Sequence, residues 1–142
     1  MAVTAKKFAN ANKNFLGASN LVGDTLKVML CTSTYTPNQA THAFKSDVTN
    51  EVTGTGYTAG GATLASVTLT TSGLVTTLDA ADTSWATSTI TARYAVIYDS
   101  TPATDATRPL IAYVDFGADV VSSGGTFQIT WDATGICTWT DA

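Results

Sequence analysis

The clearest pattern along the chain lies at residues 25–32, where Leu26, Val28 and Leu30 alternate with Lys27, Met29 and Cys31. A period of two marks a β-strand, because successive side chains point to opposite faces. The same period returns at residues 90–98, where Ile90, Ala92, Tyr94, Val96 and Tyr98 alternate with Thr91, Arg93, Ala95 and Ile97. The second set is itself partly apolar, which predicts a central strand covered on both faces. Residues 110–116, 126–131 and 136–140 carry further strand patterns, separated by Ser122-Ser123-Gly124-Gly125 and by a turn at residues 132–135. Residues 62–77 predict a β-hairpin, with TLASVTLTT and LVTTL flanking a tight turn at Ser72-Gly73. The first of these runs changes phase between Leu64 and Val67, and a bulge near Ala65 would restore the facing of Val67 and Leu69.

The remaining segments are connections. Residues 33–61 are polar and turn-rich and end in TGTGYTAGG, an ordered excursion or exposed loop. DAADTSWATST carries the chain past Trp85 to the strand at 90–98, and DSTPATDATRP at 99–109 has the composition of a surface turn. At the N-terminus, AKKFANANKNFL places Phe8, Asn12, Phe15 and Leu16 on one helical face and predicts a short helix or arm that Gly17 ends. The chain thus divides into an arm over residues 1–20 and one domain over 21–142. About seven strands with regular turn signals give an all-β class, an antiparallel β-sandwich or small barrel.

Composition sharpens this picture. A chain of 142 residues buries enough surface to fold without a metal or disulfide staple. Threonine makes up about a fifth of it, and its branched Cβ favours strands. Charged residues are only 13%, about half the usual share. A surface of hydroxyls gives weak electrostatic protection against self-association, which suits a protein packed against copies of itself or a partner. The net charge of −4 argues against nucleic acid as the main ligand. The charge is uneven: residues 1–50 hold Lys6, Lys7, Lys13, Lys27 and Lys45 against Asp24 and Asp47, while the remainder holds Arg93 and Arg108 against nine acids. No apolar run approaches a membrane span and no secretory signal is present, so a cytoplasm-like compartment is expected.

Candidate chemistry is sparse. His42 is the sole histidine, which leaves no two-histidine metal site, and its neighbours Thr41, Ala43 and Phe44 supply no nucleophile or base. It reads as a solvated loop residue. Cys31 and Cys137 sit in strand-like segments without a CxxC grouping and read as reduced, half-buried packing residues. Asp79 with Asp82, and Asp99 with Asp105, fail the alternating spacing of a calcium loop. TGTGYTAGG lacks the strand-before, helix-after context of a phosphate loop, so Gly60 and Gly61 are expected to permit a tight turn or bulge. Tyr94, Tyr98, Tyr113, Trp131 and Trp139 could form a stacking platform but are expected to fill core. No catalytic residue, metal site or cofactor is expected, and the chain reads as a non-enzyme.

The ordered set DTLKVMLCTSTYTPN (24–38), THAFKSDVTNEVTGTGYTAGGATL (41–64), ARYAVIYDSTPATDATRPLIAYVDFG (92–117) and FQITWDATGICT (127–138) resembles a family of small β-rich virion structural proteins of tailed bacteriophages. NEVTGTGYTAGG carries most of that likeness. The resemblance implies a non-enzymatic particle component, of head decoration or tail accessory type, made in the host bacterial cytoplasm and located in the virion. It implies other virion proteins as partners, the major capsid protein first among them, along with a homo-oligomer, and neither nucleic acid nor membrane. A capsid decoration (cement) role would use the arm residues Lys6, Lys7, Phe8, Phe15 and Leu16 as the shell contact. The alternatives are a tail, neck or fibre-base component, in which residues 33–61 would form a long hairpin, and a carbohydrate-binding module that holds host surfaces through exposed aromatics or the Tyr57 loop.

Overall fold

A computed structural model describes residues 2–12 and 20–141 of the chain. Its strands are β1 (Ala2–Val3), β2 (Lys6–Lys7), β3 (Leu26–Cys31), β4 (Ala62–Thr63), β5 (Thr68–Ser72), β6 (Val75–Asp79), β7 (Thr83–Asp99), β8 (Leu110–Trp131) and β9 (Cys137–Thr140). They form a larger sheet ordered β1-β8-β7-β3-β4, with β2 also on β8, and a smaller sheet ordered β5-β6-β9. Two separate sheets make this an all-β sandwich and exclude the closed barrel.

The frame is the β7–β8 hairpin, whose strands run 17 and 22 residues. Residues 83–89, expected as a connection, and residues 117–125, expected as a loop, belong to these strands. Pairing with a neighbour overrides their weak local propensity. Their irregular composition reappears as bulges: the register shifts between Trp85 and Ser88 and again between Ala92 and Tyr94. At the second shift Phe116 to Asp119 stand opposite Arg93 alone, since Ala92 pairs with Val120 and Tyr94 with Asp115. Such insertions bend a strand and increase its twist.

β7 is covered on both faces, as its partly apolar second face predicts, and so is β3, for which the sequence marked only a strand. Leu26, Val28 and Leu30 with Ala95 and Ile97 face a cluster completed by Leu78 and Cys137 of the smaller sheet. Met29 and Cys31 with Val96 and Tyr98 face a second cluster that holds Tyr35 and Phe8. Residues 33–48 therefore cover the sheet's outer face through Tyr35 and Val48, while Val52 and Tyr57 pack against the first cluster. Residues 33–61 contain one 3-10 turn (Lys45–Asp47) and isolated bridges Cys31–Glu51 and Phe44–Pro109, not a hairpin.

The N-terminal segment departs from expectation. Residues 9–12 are helical, but Ala2–Val3 and Lys6–Lys7 are strands. Val3 pairs with Trp131 and Lys6 pairs with Tyr113. Three residues span at most about 10 Å, so β8 must bend enough to bring Tyr113 and Trp131 to one short segment, and residues 2–8 bridge them. The Phe8 N–H donates to the Ile111 carbonyl at 3.0 Å, and its ring is 1% exposed. The helical periodicity that linked Phe8 to Asn12 is a local signal outweighed by burial of the Phe8 ring and by backbone pairing.

The phase change at residues 64–67 marks a change of sheet. β4 pairs with β3 in the larger sheet, Ser66 adopts φ +53, and β5 begins the smaller one. The following turn is Gly73-Leu74, one residue later than expected, since Ser72 pairs with Val75. Gly73 has φ +59, the sign that the first position of a type II′ hairpin turn requires.

Candidate functional site

Of the arm residues expected to contact a shell, Lys6, Lys7 and Phe8 are part of the fold. Lys7 presents its ammonium over the Trp139 ring, 4.7 Å from the centroid, and its carbonyl accepts from Gln39 Nε2 at 2.7 Å. Trp139 Nε1 donates to Asn12 Oδ1. Lys6 is exposed, and Phe8 packs against Tyr113 with ring centroids 5.2 Å apart. Phe15 and Leu16 lie outside the described residues. Between this segment and residues 134–138 is an open cleft of about 400 Å³, in whose wall Cys137 sits. Burial pushes the Cys137 thiol up to about 12, so at neutral pH it is a packing group and not a nucleophile.

A second cleft, about 320 Å³, lies between residues 45–60 and the loop after β7 and is lined by Lys27, Lys45, Glu51, Tyr98, Asp105 and Arg108. Asp105 accepts from Lys45 Nζ and from Arg108 Nη1, both at 2.9 Å, and these cations hold its carboxyl below the usual carboxylate range. Tyr98 donates to the Gly60 carbonyl at 2.7 Å, and burial pushes its phenol up to about 12.

At the wall of that cleft stands the motif NEVTGTGYTAGG. Glu51 Oε1 accepts from the Tyr57 hydroxyl at 2.7 Å and from the Gly60 N–H at 2.6 Å. The Tyr57 oxygen in turn accepts from the Leu30 N–H at 3.0 Å. Burial, then the bond to Glu51, raises the Tyr57 phenol well above its ordinary value. Gly61, at φ +81, lies so close to the Val28 carbonyl that a Cβ would collide with it. The motif fastens its own loop onto β3. This overturns Tyr57 as a free aromatic for sugar stacking, since its hydroxyl is bonded twice and its ring lies against Trp85 at 6.0 Å.

The other singled-out residues are likewise holding groups. His42 is not solvated: it is half-buried, stacks on Tyr35 with centroids 5.7 Å apart, and its Nδ1 lies 3.0 Å from the Tyr35 hydroxyl. Cys31 and Cys137 are free and fully buried, in different clusters, and the Cys31 thiol is pushed up to about 12 by burial and then by Glu51. Asp79 accepts from the Ala80 N–H and Asp82 from the Trp131 N–H, so the two acids serve separate turns. Asp99 is buried at the end of β7 and accepts from the Thr101 N–H, away from the ion pairs of Asp105. Tyr98 and Trp131 are core residues.

The surface has one feature that composition did not locate. Leu69, Leu74, Val120 and Val121 are exposed, the first two on the β5–β6 hairpin and the others mid-way along β8. Every residue of β5 is exposed. Among the described residues, no group of three or more His, Cys, Asp or Glu side chains is placed to hold a metal ion, and no helix is long and apolar enough to cross a membrane. No known family model, no curated protein and no solved structure matches the chain.

Proposed function

We propose that this chain is a non-enzymatic virion structural protein, a capsid decoration protein held on the outer shell of a phage head. The observation that carries the reading is the part played by NEVTGTGYTAGG. The segment that carries most of the likeness to the virion proteins is a fastener, in which Glu51 holds Tyr57 and Gly60 together and Tyr57 is tied to Leu30 of β3. A motif of that kind preserves shape. A protein whose role is to present a fixed, sparsely charged, threonine-rich surface needs shape more than it needs a reactive group. The major capsid protein is the partner this reading implies.

Phe8 is a core residue and is withdrawn from the contact; exposed Lys6 stays available to it. The test is to place a label at Ala103, in the exposed loop beside Thr104, and image intact particles. Label spread evenly over the head is the expected result. Label confined to the tail or neck would replace this reading with that of a tail component, and unlabelled particles would overturn both.

A further inference from the structure

Sheet edges expose unpaired N–H and C=O groups, and proteins guard them with bulges, charges, short strands or covering segments. Among the described residues, the edges other than β5 are guarded in one of these ways. β1, β2 and β4 are each only two residues long. The open stretch of β8 between its pairings with β2 and β1 carries Asp115 and Asp119 and the bulge opposite Arg93. The outer side of β9 is flanked by the N-terminal segment, where the Ala5 N–H donates to the Ile136 carbonyl and Lys7 lies over Trp139.

β5 has none of these devices. Its sequence, Thr68-Leu69-Thr70-Thr71-Ser72, contains no charge, proline or glycine, its pairing with β6 runs without a register shift, and all five residues are exposed. The direction of its free groups follows from the register. The Leu78 carbonyl accepts from the Ile136 N–H, so it points away from β5. Leu69, opposite Leu78, therefore has its main-chain groups turned outward, and so does Thr71 two residues on. Leu69 is 41% exposed and Leu74, at the turn, 61%, so apolar surface flanks the free edge.

We propose that β5 pairs antiparallel with β5 of a second copy of this chain, across a two-fold axis at Thr70. In that register Leu69 of each copy stands opposite Thr71 of the other and exchanges both N–H···O bonds with it, so every outward group of Leu69 and Thr71 is satisfied. The two Leu69 side chains lie on the same face at diagonal positions, within reach of each other. The strand is self-complementary in this way because it has no charge to repel its own copy, and an isologous contact demands that each surface tolerate itself. The two smaller sheets become one, ordered β9-β6-β5-β5-β6-β9. The pairing needs no shell, so it stands or falls separately from the decoration reading.

The experiment is sedimentation of the purified full chain over a concentration series, alone and as Thr70→Lys, Thr70→Glu and their equimolar mixture. Residue 70 is exposed on β5 and meets its own counterpart at the axis. The expected result is a reversible dimer for the natural chain, about tenfold weaker association for either charged variant, and recovery in the mixture. A natural chain that stays monomeric, a Thr70→Lys dimer of unchanged strength, or a mixture no better than its parts would overturn the proposal. Should the charged variants fold poorly, Thr70→Cys gives a second reading. Paired residues at a non-hydrogen-bonded site stand about 4.5 Å apart between Cα atoms, within the span of a disulfide. Oxidation should link two copies through position 70, and failure to cross-link would count against the pairing.

Discussion

The Tyr57 hydroxyl donates to Glu51 at 2.7 Å while its oxygen accepts from the Leu30 N–H at 3.0 Å, so one phenol joins two parts of its own loop and ties that loop to a central strand. Tyr57→Phe removes both bonds, leaving the Leu30 N–H and a Glu51 oxygen short of a partner. A loss of about 1–3 kcal/mol is expected. Urea unfolding checks it, and an unchanged midpoint would show that water replaces the phenol without loss.

Phe8 binds residues 2–8 to the outer cluster beside Met29 and Tyr35. Phe8→Ala is expected to destabilise the domain by about 3–5 kcal/mol, the range for truncating a buried aromatic. Deletion of residues 1–8 should do the same or worse, because it also strips the pairings at Lys6–Tyr113 and Val3–Trp131. Thermal unfolding of the truncated chain decides the matter: an unaltered melting temperature would make this segment a detachable arm after all.

Gly61 and Gly124 both have positive φ, +81 and +72, but only Gly61 is crowded. Gly124→Ala should lose about 1–2 kcal/mol, from the left-handed backbone alone. Gly61→Ala adds a collision with Val28 and should lose distinctly more. Equal losses for the two variants, read from denaturant midpoints, would remove the crowding argument.

Asp99 is 1% exposed, and burial first of all, together with the neighbouring Asp24 carboxyl, raises its pKa above the ordinary carboxylate value. A raised folded-state value means that the folded chain holds this proton more tightly than the unfolded chain. The favourable contribution is complete below the ordinary value and is lost as pH rises through the raised one. Asp99→Asn keeps an acceptor for the Thr101 N–H and cannot ionise. The variant should therefore gain stability over the natural chain as pH rises from acid to neutral, with the difference vanishing in acid. Denaturation at a series of pH values tests this, and a difference that shrank as pH rose would reverse the sign.

Much of the frame was legible because it rests on periodicity. The alternation at residues 25–32 and 90–98 marks both as strands, and the apolar character of Ala95 and Ile97 places the second at the centre with both faces covered. The disruption at Leu64 to Val67 was visible too, but a sequence break does not say whether a strand bulges or leaves its sheet. Residues 117–125 looked like a loop because their glycines and serines lack strand propensity, while their structure is imposed by β7. Phe8 misled for the opposite reason, since a local helical spacing was present and tertiary pairing overrode it. The Glu51–Tyr57–Leu30 fastener left no signal at all: it joins residues 6 and 27 positions apart through side chains, and no period records that.

The bridge that residues 2–8 make between the two ends of β8 also sets an order of events. Ala5 bonds to Ile136, Phe8 to Ile111 and Asp132 to Val3, separations of more than a hundred positions along the chain. Loops of that size close slowly, and topologies dominated by them fold late and as a whole. During synthesis residues 3–8 must wait, unpaired, until residues 111–136 have been made. Until then the outer cluster lacks Phe8 and β8 has no clasp, so a nascent or truncated chain is left with an open seam and an apolar strand edge. Emergence of residues 130–136 is thus the step that commits this domain to its final shape.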